Sequence, residues 1–245
     1  MLSIIGTVGV PACYGGFETL VENLLDENEQ DKNITVYCSS KNYPEKRQKY
    51  KNANLHYIPL NANGAQSIPY DIWSLFHAVF KKSDNILLLG VSGAICLPFI
   101  RLFSKAKVVT NIDGLEWKRA KWNGLIKRFL KFSEKLAVKY SDVVVADNAA
   151  IADYVKSEYG VESEVIAYGG DHALTTDLNL SDDGYALALC RIEPENNVEL
   201  ILEAFSQTDK KLKFIGNWDK SDFGQSMKSI YQQFDNIEIV DPIYD

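Results

Sequence analysis

Three groups of residues in this chain have the types and spacing to do chemistry. The first is the run Gly6-Thr7-Val8-Gly9-Val10-Pro11-Ala12-Cys13-Tyr14-Gly15-Gly16-Phe17-Glu18, where an apolar stretch enters a glycine-rich loop. Gly15 and Gly16 then open a segment with Phe17, Leu20, Val21, Leu24 and Leu25 at helical spacing. Glycines let a backbone approach a ligand closely, and free N–H groups at a helix start favour anions. A plain structural turn is the alternative. The second group is Asp113 and Glu116, in a glycine-containing turn after the apolar run 107–112. Carboxylates there can hold a ligand's hydroxyls or take a proton from one, although Asp113 also suits a cap or turn position. The third is Arg191, just past the apolar run 185–190. Its guanidinium can hold a diphosphate bidentately, or pair with Glu193 or Glu195.

The common phosphate motifs do not fit. A dinucleotide fingerprint needs glycine where Val8 stands, and a P-loop needs Gly-Lys-Ser/Thr where Gly-Gly-Phe-Glu stands. His56, His77 and His172 are scattered and there is no Asp-x-Asp, so no metal site is expected.

The elements that must position these residues read as an α/β protein. Runs 2–7, 34–38, 55–60, 86–89, 107–112, 143–146 and 165–167 are strands, several apolar throughout, as parallel strands covered on both faces are. Amphipathic segments alternate with them, the rhythm of a doubly wound sheet. Ligands of such sheets bind beyond the strands' carboxyl ends, where the glycine loop, Gly90–Gly93 and Asp113–Glu116 fall. The basic segment 41–51 reads as a solvated loop. Periodicity stops between Tyr168 and Gly184, which predicts an N-terminal domain over 1–170, a linker over 171–183 and a second α/β unit over 184–245. A doubly wound domain needs about 100 to 150 residues, so the second is expected to be about half present.

The chain has 245 residues, 46% hydrophobic and 24% charged, with a net charge of −7, which argues against nucleic acid as a partner. Its four cysteines lie far apart, as reduced thiols do. The start lacks a basic n-region, and the longest uncharged run, 85–100, is too short to span a bilayer. A cytoplasmic protein is expected. From Trp117 to Tyr140 the local charge is +7, leaving −14 for the rest. Trp122, Leu125, Ile126, Phe129, Leu130, Leu136 and Ala137 form one helical stripe, with Lys127, Arg128, Lys131, Lys135 and Lys139 on the other side. With Lys118, Arg119 and Lys121, these cations make either a patch for an anionic membrane surface or a solvated face.

Gly-Thr-x-Gly-x-Pro-Ala-x-Tyr-Gly-Gly-Phe-Glu, the run 111–119 (Asn-Ile-Asp-Gly-Leu-Glu-Trp-Lys-Arg), Ala146-Asp147-Asn148 and the run 191–197 together resemble bacterial rhamnosyltransferase-like enzymes. These are retaining glycosyltransferases built from two Rossmann-like domains, the GT-B architecture. The resemblance implies sugar transfer from a nucleotide-sugar donor, dTDP-rhamnose among the candidates, to a lipid-linked or cell-surface polysaccharide acceptor, with no further cofactor. It implies a peripheral location at the inner membrane face, Asp113 and Glu116 near the reacting groups, and Gly15, Gly16, Arg191 and Asn196 on the donor. Relatives carry a lysine where Asn196 stands and a Glu-x7-Glu motif with no counterpart here. A truncated, non-catalytic sugar- or nucleotide-binding protein is the alternative. The expected geometry is a cleft, with the paired glycines on one wall and Arg191 on the other.

Overall fold

In a computed structural model, residues 1–13, 15–27, 33–119, 122–170 and 182–242 are described. Lys121, His172 and most of the expected linker (171–181) lie outside the described residues. The chain divides into two compact units, one of Met1–Lys118 with Trp122–Gly170, the other of Arg119–Lys121 with Asp171–Asp245.

The first unit is built on β1 (Leu2–Ile5), β2 (Ile34–Ser39), β3 (Lys49–Tyr50), β4 (Ala53–Ile58), β5 (Asn85–Leu89), β6 (Lys107–Asn111), β7 (Val143–Ala146) and β8 (Glu164–Val165). They form one sheet in the order β3-β4-β2-β1-β5-β6-β7-β8. All neighbours are parallel except β3, which runs antiparallel to β4. The expected loop over 41–51 holds except at Lys49–Tyr50, which forms β3. Tyr50 reaches back to Glu22, and Lys51 pairs with Asp26 at 2.6 Å, so partners distant in sequence order this end of the segment.

Helices α1 (Gly16–Glu27), α2 (Ser67–Phe80), α3 (Leu97–Phe103), α4 (Gly124–Tyr140) and α5 (Ala149–Tyr159) connect the strands. Ile86, Leu88, Val108 and Val144 pack with Leu75, Leu97, Ile100, Ala137 and Val155 in one core cluster. Ile4, Val36, Val8 and Val10 pack with Val21 and Leu25 of α1 in another. Val8, the residue that spoils the dinucleotide fingerprint, is thus a core residue.

The inward face of helix α4 keeps Leu130 and Ala137 of the expected stripe but is shifted to take in Ser133, Glu134 and Val138. Leu130, Ser133, Glu134, Ala137 and Val138 are buried, while Leu125 is 77% exposed. The reason is polar. Ser133 donates to the Val91 carbonyl at 2.6 Å, and Glu134 accepts from the Tyr154 and Tyr159 hydroxyls. Two side chains that periodicity counts as outward are therefore satisfied inside.

The second unit holds a parallel sheet in the order β11-β10-β9, from β9 (Tyr185–Leu189), β10 (Lys211–Ile215) and β11 (Ile237–Val240). Helices α6 (Val198–Ser206) and α7 (Asp222–Tyr231) cover it. Its core centres on Phe214 and Trp218, in edge-to-face contact at 5.1 Å, with Val198 and Leu202.

Candidate functional site

The carboxyl ends of β1, β5, β6 and β7 gather the chemistry-bearing residues of the first unit. Gly6 is held at φ +96°, and a Cβ there would lie 1.9 Å from the Leu89 carbonyl oxygen, so only glycine fits where β1 meets β5. The loop that follows is fastened by Glu18, in the first turn of α1 and 4% exposed. Its Oε1 accepts the Thr7 hydroxyl at 2.7 Å and the Val8 backbone N–H at 2.6 Å. A carboxylate at a helix start is also favoured by the helix dipole. From the far side, Tyr43 donates to the Pro11 carbonyl at 2.9 Å. Gly16 begins α1, and a Cβ there would meet no described atom, so packing does not demand glycine at that position.

At the end of β6, Asn111 is 5% exposed and splits its amide between two tasks. Its nitrogen donates to Asp147 at 2.9 Å, and its oxygen accepts the Asp113 backbone N–H at 2.8 Å, holding Asp113 at φ +58°. Asp147 is kept above the usual carboxylate range by burial, against the opposing pull of the Asn111 bond. Its neighbour Asn148 caps α5 by accepting from the Ile151 N–H at 3.0 Å. Glu116 accepts the Trp122 indole N–H at 3.0 Å, which ties the turn to the approach of α4.

Tyr168 joins these carboxylates. Its phenol is pushed well above its ordinary range, first by burial, then by Asp147, Asp113 and Glu18. A phenol in that setting stays protonated and donates. Asp113 and Asp147 supply acceptors at the strand ends, which suit a hydroxyl-rich ligand. Sequence reading gave no role to Glu18, Asp147 or Tyr168. Glu18 was detectable as a carboxylate in the first turn behind paired glycines; Tyr168 sits where periodicity has already stopped.

Below the Gly90–Gly93 turn lies Asp71 of α2, fully buried, with Oδ1 lacking a partner. Burial raises its carboxyl well above the usual range, and Ser92 beside it opposes that rise. A Cβ on Gly93 would come within 2.4 Å of the Asp71 Cβ, so turn and helix are in direct contact.

In the second unit, Arg191 is exposed just past β9 and, among the described residues, forms no ion pair with Glu193 or Glu195. Asn196 spends one amide hydrogen on the Arg191 carbonyl at 2.7 Å, so its side chain shapes the turn. Arg119, which belongs to this unit, pairs with Glu195 at 3.2 Å. Of the other basic residues, Lys118 lies over the Trp117 ring at 5.3 Å. Lys131 is drawn into ion pairs with Glu158 at 3.0 Å and Glu134 at 3.6 Å. Lys127, Arg128 and Lys135 make no ion pair among the described residues.

Residues 1–171 match the family described as "Domain of unknown function (DUF1972)". The chain belongs to the DUF1972 family. No curated protein matches the sequence. Among solved structures, this DUF1972 chain is similar to sucrose-phosphate synthase from Thermosynechococcus elongatus, with 15% identity and a TM-score of 0.74 over 99% of this chain and 70% of that one. It is similar to the lipopolysaccharide outer core galactosyltransferase WaaB, with 14% identity and a TM-score of 0.60 over 98% of this chain and 67% of that one. It is also similar to a UDP-N-acetylglucosamine 2-epimerase from Rickettsia bellii, with 17% identity and a TM-score of 0.60 over 100% of this chain and 68% of that one. At such identities the likeness concerns the fold. The DUF1972 chain has Rossmann-like α/β units of the GT-B architecture.

Proposed function

We propose that this DUF1972 protein is a glycosyltransferase of rhamnosyltransferase-like, retaining type. It moves a sugar from a nucleotide-sugar donor, dTDP-rhamnose first among candidates, to a lipid-linked or cell-surface polysaccharide acceptor. The observation that carries the reading is the pair of carboxylates at the carboxyl ends of β6 and β7, where the Asn111 amide holds Asp147 at 2.9 Å and the Asp113 N–H at 2.8 Å. Such a pair offers acceptors to sugar hydroxyls, and Asp113 is the carboxylate best placed on the turn to receive an acceptor proton. Glu116, held by Trp122, acts by positioning that turn. The open space above Gly16 leaves its backbone free for close approach by a ligand. Arg191, exposed and without an ion pair among the described residues, is the group for the departing diphosphate. The fold neighbours support the same class, since they include a galactosyltransferase, a sucrose-phosphate synthase and a UDP-N-acetylglucosamine 2-epimerase.

Attachment to the inner membrane face is part of the proposal, and the exposed side chains of α2 and α3 support it. Helix α3 packs between α2 and α4. Trp73, Phe76 and Phe80 of α2, and Phe99, Leu102 and Phe103 of α3, stand out into solvent, Phe80 at 80% and Phe103 at 79% exposure. Lys81, Lys82 and Lys105 follow these helices closely in the chain. Exposed aromatics flanked by lysines suit the headgroup region of an anionic leaflet. No helix among the described residues is long and apolar enough to cross a membrane. Cosedimentation with phosphatidylglycerol vesicles should fall steeply for the Phe80→Ser/Phe103→Ser double variant; unchanged cosedimentation would rule out this surface.

A second reading, a nucleotide-sugar-binding protein without turnover, is favoured by one observation. Asn196 stands where relatives carry a lysine, and its amide is engaged by the Arg191 carbonyl. A thermal-shift screen of nucleoside diphosphates and their sugars against the parent and Arg191→Ala tests both readings. A donor that raises the unfolding temperature of the parent, and less so of the variant, is expected. No response to any nucleotide would overturn both.

A further inference from the structure

A cavity of about 530 Å³ opens between α4, the end of α5 and the 3-10 turn Glu116–Lys118. It belongs wholly to the first unit and does not include Asp113, Asp147 or Tyr168. Its lining is aromatic and basic, with one carboxylate, Glu158, which is paired with Lys131. Trp117, Phe132 and Tyr159 contribute aromatic surface, and Phe132 is 53% exposed. Lys127, Arg128 and Lys135 contribute cations that make no ion pair among the described residues. The remaining cation, Lys131, is part of the wall. Its ammonium is held by Glu158 and Glu134 and lies 4.7 Å from the Trp117 ring centroid, 4.8 Å from that of Tyr154 and 5.0 Å from that of Tyr159. These contacts fix the two cavity rings, Trp117 and Tyr159, from behind.

Three cations without an ion pair among the described residues and aromatic walls together describe a ligand with a multiply charged oxyanion and an apolar or sugar portion. A purely anionic ligand has no use for the rings, and a neutral sugar has no use for the cations.

We propose that this cavity binds the phosphate or diphosphate of an amphiphile, with Lys127, Arg128 and Lys135 on its oxygens and Trp117, Phe132 and Tyr159 against its apolar part. The proposal rests on the sugar-transfer reading only in naming that amphiphile as the lipid-linked acceptor; the binding chemistry stands without it. The membrane-facing aromatics of α2 and α3 are a separate surface.

The test is calorimetric titration of the full chain with farnesyl diphosphate, with inorganic diphosphate, and with phosphatidylglycerol vesicles lacking any diphosphate. The variants are Arg128→Ala/Lys135→Ala and Phe132→Ser, each checked for a parental unfolding midpoint; Lys131 is left intact because it holds the wall together. One-site binding of farnesyl diphosphate is expected, weakened about tenfold or more by the double variant and by several-fold for Phe132→Ser. Inorganic diphosphate should bind more weakly than the isoprenoid. Equal affinity for the two, or binding confined to vesicles, or insensitivity to both variants, would overturn the proposal. Donor nucleotide-sugar binding measured on the same variants separates the two readings. Its loss from the parent would remove the transferase assignment and leave the cavity's binding in place; its persistence beside a silent farnesyl diphosphate titration would remove only the cavity.

Discussion

At the residue scale, two buried carboxyls behave oppositely. Glu18 is matched by two donors, so it stabilises the glycine loop through charge-assisted hydrogen bonds. Glu18→Gln keeps the shape but halves the acceptor capacity and removes the charge. It should lower the unfolding free energy by about 1–3 kcal/mol in urea denaturation and weaken donor binding at the same time. A variant as stable as the parent would show that the loop does not depend on Glu18. Asp71 has an oxygen with no partner and a carboxyl raised well above the usual range by burial. A raised acid favours the folded state while protonated and penalises it once ionised. Its contribution is therefore fully present below the unfolded value of about 4 and is lost as pH rises toward the folded one. Asp71→Asn does not titrate. Its stability relative to the parent should climb as pH rises above about 4 in parallel denaturation curves, whereas a flat difference would place Asp71 in contact with water.

At the element scale, part of what looks like an active-site motif is helix capping. In Ala146-Asp147-Asn148, Asn148 serves the α5 N-terminus and Asp147 holds Asn111, which in turn holds the Asp113 turn. Asn148→Ala should cost about 1 kcal/mol of stability, read by thermal or urea unfolding, with little effect on ligand affinity. Asp147→Ala should instead disturb the site through Asn111. The strands β5, β6 and β7 were legible in the sequence because residues buried on both faces leave uninterrupted apolar runs. The two-residue β3 was not, since its order comes from Tyr50 and Lys51 reaching α1. The inward face of α4 was partly misread for a related reason. Periodicity scores Glu134 as a surface charge, and only the fold brings Tyr154 and Tyr159 to its carboxylate.

At the scale of the whole molecule, an acidic chain concentrates its positive charge near α4 and its exposed aromatics on α2 and α3. The carboxylate pair lies at the strand ends of the same unit. The glycine loop and Asp113 were visible from sequence because strand ends announce themselves. Tyr168 and the cavity beside Trp117 were not, because their partners are distant in sequence. The most direct test of sugar transfer is to incubate the full protein with radiolabelled dTDP-, UDP- and GDP-sugars and an extract of lipid-linked saccharides, then count label in the lipid fraction. The account predicts incorporation from one donor, falling by about two orders of magnitude or more for Asp113→Ala, in line with loss of a general base. No incorporation from any donor at saturating acceptor, or incorporation indifferent to Asp113, would contradict it.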